Sequence, residues 1–228
     1  MNSINKWIHC RALKRPNAWS PFELQPLPIY RDEEKHKYCW EPTNEWLLYS
    51  TTQACNNKTP EALANIERYR HGPTGWEIRG KTVHHCLETK MLGHEPADPG
   101  DFNEWVEPLL NDPFWETFEP WAVEYMLCDL DKSLGGQLDL LGYDHNSNQV
   151  TLIDLKSQSK SGKTYSTNAQ LGSYVEALKK HHGLEVDMCR TVWAKPGKTK
   201  IGEDQPVDEC LNEWHKAWDR FMEKEGVT

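Results

Sequence analysis

The sequence predicts a mixed α/β fold: a small mixed β-sheet flanked by helices, preceded by an irregular, aromatic-rich N-terminal extension. Three observations predict it. Between Trp121 and Lys156 the apolar residues fall in short runs rather than in amphipathic helical windows. The segments on either side of that stretch carry helical periodicity and helix start and stop signals. Residues 1–60 are punctuated by Pro16, Pro21, Pro26, Pro28 and Pro42, with Trp7, Trp19, Trp40 and Trp46 scattered between them.

Taken in order, residues 1–70 read as a wrap and one helix whose aromatics pack on a core formed by residues 71–228. The wrap is irregular, with short helices at most. From Thr59 the run TPEALANIERYRHG has a Thr N-cap, Pro at the first helical position, an acidic first turn and a closing Gly72. A second helix spans Trp76–Leu92, with Ile78, Val83, Leu87 and Met91 as its apolar stripe. Short helical pieces follow through Asp101–Phe118, broken by Pro108 and Pro113. Trp121–Cys128, Gly136–Tyr143 and Gln149–Lys156 read as strands, and DHNSN joins the last two as a hairpin. After the polar loop SQSKSGKTY comes a helix from Thr167 to His182, ended by Gly183. Glu185–Ala194 reads as a strand, and Val207–Lys224 as a closing helix carrying Leu211, Trp214, Trp218, Phe221 and Met222.

Composition bounds the function. The 228 residues include 11 Trp, 8 Tyr and 5 Phe, enough aromatic area to build a core despite a hydrophobic fraction of 37%. No apolar stretch approaches the roughly 18 residues of a membrane-spanning helix, and the N-terminus lacks the apolar core of a secretory signal. No membrane role and a cytoplasmic location are therefore expected. The seven cysteines (Cys10, Cys39, Cys55, Cys86, Cys128, Cys189 and Cys210) are odd in number and contain no CxxC pair. They read as reduced thiols, with neither a disulfide framework nor a zinc ribbon. A net charge of −9 counts, at face value, against binding phosphate backbones.

The most informative stretch is GGQLDLLGYDHNSNQVTLIDLKSQSKS. Asp139 and Asp154 each lie inside an expected strand between apolar neighbours. Side chains alternate along a strand, so Ile153 and Leu155 face one way while Leu152, Asp154 and Lys156 face the other. Acidic residues are depleted in strands, and an unpaired buried carboxylate is costly. Two of them on neighbouring strands, with Lys156 two places beyond the second, call for a compensating cation. Mg²⁺ or Mn²⁺ would serve, because both take oxygen ligands and a bound ion polarises phosphate and activates water. The plainer alternative is an edge hairpin with a modest Asp–Lys salt bridge.

In motif order and spacing these residues resemble the PD-(D/E)xK nuclease superfamily, in its RecB-like and lambda-exonuclease-like branch. Asp139, Asp154 and Lys156 occupy the D…(D/E)xK positions. Leu138 stands where the family usually has proline, and Gly136–Asp139 has the G-x-x-D form. RGKTVHHCLE resembles the G-x-x-x-H helix, with His84 as the metal-side histidine. Glu124 matches the first acidic motif, and Gln170 and Tyr174 match Q-x-x-x-Y. The resemblance covers about residues 76–195 and implies a restriction-endonuclease-like αβββαβ core. It also implies one or two Mg²⁺ or Mn²⁺ ions held by His84, Glu124, Asp139, Asp154 and the Leu155 carbonyl, with Asp139, Asp154 and Lys156 catalytic. Gln170 and Tyr174 become substrate contacts by the resemblance; Lys160 and Lys163, with Ser157, Ser159 and Ser161 of the loop after Lys156, read by position either as phosphate contacts beside the site or as solvated loop residues. Relatives carrying an iron–sulfur cluster have close C-terminal cysteines. Here Cys189 and Cys210 are far apart in sequence, so no cluster is expected.

The distribution of charge qualifies its total. From Glu95 to Asp131 there are eleven acidic residues and no Lys or Arg. From Val150 to Lys200 there are nine Lys or Arg against four acids, and residues 1–15 add Lys6, Arg11, Lys14 and Arg15. A phosphate-binding surface on an acidic chain is thus expected around the carboxylates. The resemblance implies a DNA exonuclease acting from ends in replication, recombination or repair, alongside a partner protein of those processes; the compact size suits a phage or mobile-element enzyme in the host-cell cytoplasm. The alternatives are a structure-specific or single-strand-preferring endonuclease and, from another class, an inactive nuclease-fold module that binds DNA or protein.

Overall fold

A computed structural model describes residues 24–72 and 75–226. The expectations for Trp7, Trp19, Cys10 and the basic residues of positions 1–15 lie outside the described residues.

Within the expected irregular extension, residues 29–54 carry short regular elements. Strands β1 (Ile29–Asp32), β2 (Lys37–Trp40) and β3 (Glu45–Trp46) form an antiparallel meander. Strands of two to four residues are too short for alternation to show in sequence. The turns identify them: the Asp32 carboxylate accepts the Glu34 and Lys35 amides at 3.0 and 2.8 Å, and His36 and Asn44 adopt positive φ. Ile29, Tyr38 and Leu47 pack with Cys128 and tie the meander to the main body. Strand β4 (Tyr49–Ser50) and the one-turn helix α1 (Thr51–Ala54) follow, with Ser50 and Gln53 closing a capping box.

Helix α2 (Pro60–Arg68) starts as expected, the Thr59 hydroxyl accepting the Ala62 amide. Helix α3 (Trp76–Met91) buries Val83, Leu87 and Met91. Ile78, assigned to the same stripe, is 51% exposed because the first turn projects past the core. Helix α4 (Asn103–Leu110) runs through Pro108 instead of breaking there. A proline at that position frees the Glu104 carbonyl four residues back. The Gly197 amide takes that oxygen at 2.8 Å, so the group is satisfied and the helix persists.

Three long strands then form a meander: β5 (Phe118–Asp129), β6 (Leu134–Asp144) and β7 (Gln149–Ser157). Helix α5 (Asn168–His182), closed by Gly183 at φ +61°, crosses over to β8 (Met188–Lys195), which pairs parallel with β7. β9 (Lys198–Ile201) was not evident from sequence because a Lys-Thr-Lys-Ile edge strand carries little apolar signal; it pairs with β8. β10 (Gln205–Pro206) and helix α6 (Val207–Glu225) complete the chain. The main sheet runs β10-β8-β7-β6-β4, with β5 on the other edge of β6. It is mixed, since β4 pairs parallel with β6 and β8 parallel with β7, while the β5–β6 and β6–β7 pairs are antiparallel.

The sheet separates two cores. On one face Leu152 packs with Leu138, Leu171 and Leu178 beneath α5 and α6; on the other Ile153 and Leu155 pack with Val83, Leu87 and Leu109 of α3 and α4. This is the alternation expected of β7. Among the described residues no helix is long and apolar enough to cross a membrane.

Candidate active site

The site forms where β6 parts from β7. Beyond the pair Leu140↔Ile153 the β6–β7 ladder stops, and β4 resumes that edge only at Leu134–Gly135. Residues 136–139 therefore border a gap in the sheet. The Leu155 amide, left without a strand partner there, donates to Asp139 Oδ2 at 2.6 Å. Gly136 lets α1 and α5 close over the gap: a Cβ there would lie 2.6 Å from Thr51 Oγ1 and 2.7 Å from the Tyr174 ring.

Both strands lose their alternation at this level. Val123 and Tyr125 lie in opposite cores, and so do Leu138 and Leu140. Between each pair stands an acid. The register sets Glu124 across from Asp139, and Glu124 is the one non-glycine with positive φ (+47°) inside a strand among the described residues. A left-handed residue of this kind costs on the order of 1–3 kcal/mol. The strain turns the carboxylate out of the pleat, toward its neighbour.

Two acids directly opposed repel one another, and His84 of α3 stands between them. Its Nδ1 is 3.0 Å from Glu124 Oε1 and 3.4 Å from Asp139 Oδ1, while Nε2 is 3.1 Å from the Leu155 carbonyl. Every partner is an acceptor, so both ring nitrogens donate and the imidazole is protonated. Burial alone would lower its pKa, but Asp139 and Glu124 outweigh that and raise it well above 6.5. Burial raises Glu124. Burial also pushes Asp139 up, but His84, Lys156 and the Leu155 amide overcome that and lower it. Gln137 Nε2 donates to Glu124 Oε2 at 2.8 Å and fixes its rotamer.

Asp154 is 1% exposed. Its Oδ1 accepts Lys156 Nζ at 2.6 Å, whereas Oδ2 is buried with no hydrogen-bond partner among the described residues. Burial, with Asp139 adding repulsion, raises its pKa to about 6 against the pull of Lys156. The lysine is the counterpart: burial would lower it, but Asp154 and Asp139 hold it above 10.5 and protonated.

The remaining expected residues divide. Gln170 Nε2 donates to the Tyr174 hydroxyl at 3.0 Å, and both line the cleft with His84, Asp139 and Lys156, a space of about 810 Å³. Ser157 is held by Arg79 of α3, whose Nε lies 3.4 Å from its Oγ. Lys160 is exposed on the loop after β7 and does not line the cleft. Arg79 and Gln137 were not singled out in the sequence. Arg79 precedes the Gly80 of the helix motif and Gln137 lies between Gly136 and Asp139, but neither position carries a signal of its own.

The donors of His84, Glu124 and Asp139 lie within 4.8 Å of one another. With the Leu155 carbonyl alongside, and a buried Asp154 oxygen left without a partner, the set is rich in oxygen and short of positive charge. That suits a hard divalent cation.

A family model described as the PD-(D/E)XK nuclease superfamily matches residues 102–226. Among curated proteins no relative matches. Among solved structures, a candidate exonuclease from Eubacterium rectale is 12% identical, with a TM-score of 0.48, covering 78% of this chain and 82% of its own. The protein SSO0001 is 12% identical, with a TM-score of 0.37, covering 74% of this chain and 73% of its own. The family model spans more than half of the sequence, and the chain belongs to the PD-(D/E)XK nuclease superfamily.

Proposed function

We propose that this member of the superfamily is a Mg²⁺- or Mn²⁺-dependent deoxyribonuclease that hydrolyses phosphodiester bonds from DNA ends. The observation that carries the reading is the buried deficit of positive charge at the sheet gap. Glu124 and Asp139 converge there on His84, Asp139 also acts on the buried Asp154, and among the described residues only His84 and Lys156 offset these acids while one Asp154 oxygen has no partner. Glu124, Asp139, Asp154, the Leu155 carbonyl and, once it has given up a ring proton to the incoming charge, His84 would hold the ion or ions. When bound, a divalent cation polarises the phosphate and activates water.

The chain's own groups do the rest. Asp139 keeps the gap open by occupying the Leu155 amide. Lys156, ion-paired to Asp154, would orient water and offset phosphate charge beside the ion. Gln170 and Tyr174 form one wall of the cleft, from α5. Ser157, restrained by Arg79, would meet the backbone of the strand beside the site, with Lys160 further out on the loop.

The test is degradation of DNA in Mg²⁺ or Mn²⁺. Asp154→Ala and Lys156→Ala should abolish hydrolysis while circular dichroism shows an intact fold; cutting at wild-type rate by either variant overturns the assignment. Calorimetry should detect divalent-ion binding that Asp139→Ala loses. Linear DNA should be consumed and closed circles spared; cleavage of circles would make the enzyme an endonuclease.

A further inference from the structure

A row of side chains leads from Lys156 across the sheet, away from the residues considered so far. Lys156 on β7 is the register partner of Trp193 on β8, and Trp193 is the partner of Lys200 on β9, so all three point to one face. Trp193 is nearly buried, and the Tyr165 ring packs on it edge to face with centroids 5.0 Å apart. Tyr165 itself is 52% exposed. Lys58 Nζ lies 5.6 Å from its ring centroid. Burial raises the Tyr165 hydroxyl's pKa, and the charges of Lys156 and Asp154 also act on it, as expected of a ring beside the catalytic pair. No ion pair among the described residues engages Lys58 or Lys200.

An aromatic ring that is half in solvent, backed by a buried tryptophan, with Lys58 over the ring and Lys200 beside the tryptophan in register, has the chemistry of a base platform. We propose that Tyr165 stacks against an unpaired nucleobase next to the scissile phosphate, with Lys58 and Lys200 contacting the flanking phosphates. This inference rests on the nuclease reading above and adds a preference for single-stranded or frayed substrate. The exchange is favoured because a stacked base covers the ring face more fully than an exposed ammonium held 5.6 Å from its centroid. The base therefore displaces the Lys58 ammonium, which is released toward phosphate. In a duplex the same base is already stacked and paired, so the platform discriminates against it. Every base has a π face, so recognition is tolerant of sequence.

The experiment uses the full chain with a chelator at low salt, where no strand is cut. Short single-stranded oligonucleotides carry 2-aminopurine at successive positions, and affinity is read by anisotropy. One position should be quenched on binding. Tyr165→Ala should remove the quench and weaken binding by about five- to 150-fold, while Tyr165→Phe retains both. Tyr165→Ala should leave duplex binding and divalent-ion calorimetry unchanged. If Tyr165→Ala binds and quenches like the wild type, the platform is wrong and the nuclease reading stands. If the wild type neither binds nor degrades any DNA, the nuclease reading falls and the platform with it.

Discussion

Asp129 and Asp154 are both buried carboxylates on neighbouring parts of one sheet, 6% and 1% exposed, and the chain treats them differently. Asp129, at the end of β5, has both oxygens engaged: Lys132 and Lys180 donate at 2.8 and 2.7 Å, and the Asp131 amide at 3.1 Å. Burial pushes its pKa up, but the two lysines prevail and lower it. Asp154 has one lysine on one oxygen and nothing on the other, with Asp139 close enough to raise it further. A carboxylate that serves the fold is neutralised by the chain's own cations. One left short of charge beside Asp139 would be completed by a cation from outside the chain, as the proposed function has it.

The sharpest way to break that contrast is Asp154→Asn, which keeps the shape and removes the charge. Hydrolysis should fall by about a thousandfold or more in a DNA degradation assay, since metal stabilisation supplies several kcal/mol. Wild-type rates would place Asp154 with Asp129 as a structural acid. Adding Mg²⁺ or Mn²⁺ at a hundred times its dissociation constant should stabilise the wild type by about 2.7 kcal/mol in denaturant titrations. Asp139→Ala should show no such gain, and Asp129→Ala should show all of it.

Asp129→Ala should instead lower stability by about 1–2 kcal/mol, a figure kept small because Lys180 is 38% exposed, with the specific activity of the folded protein unchanged. The gentlest test is pH. Asp129, with its folded pKa lowered, contributes stability that is present above pH 4 or so and lost as pH falls through the folded value. Asp154, raised to about 6, has the opposite sign: its contribution is present below the ordinary carboxylate range and lost as pH rises through 6. Urea midpoints in chelator should therefore fall between pH 4 and 6 for the wild type, with less fall for Asp154→Asn.

Much of this arrangement was legible beforehand. The period change at Trp121, the DHNSN turn and the apolar flanks of Asp139 and Asp154 identify the hairpin and its odd acids, because burial patterns are written into sequence two residues at a time. The β1–β3 meander and β9 were not, since two- to four-residue strands carry too few side chains to display a period. Nor could periodicity reveal the left-handed Glu124. It is the failure of alternation there, on β5 and β6 together, that turns Glu124 toward Asp139. Gln137 and Arg79 act by holding other residues, and such roles exist only once the elements are assembled.

Pro108 has a consequence for how the molecule comes apart. The carbonyl it frees on Glu104 is bonded by Gly197 in the turn between β8 and β9, so α4 completes its hydrogen bonding only when that hairpin is in place. The helix and the hairpin are thereby joined in one cooperative unit, although most of the chain between them belongs to other elements. In native-state hydrogen exchange, the amides of α4 and of the β8–β9 hairpin should open together.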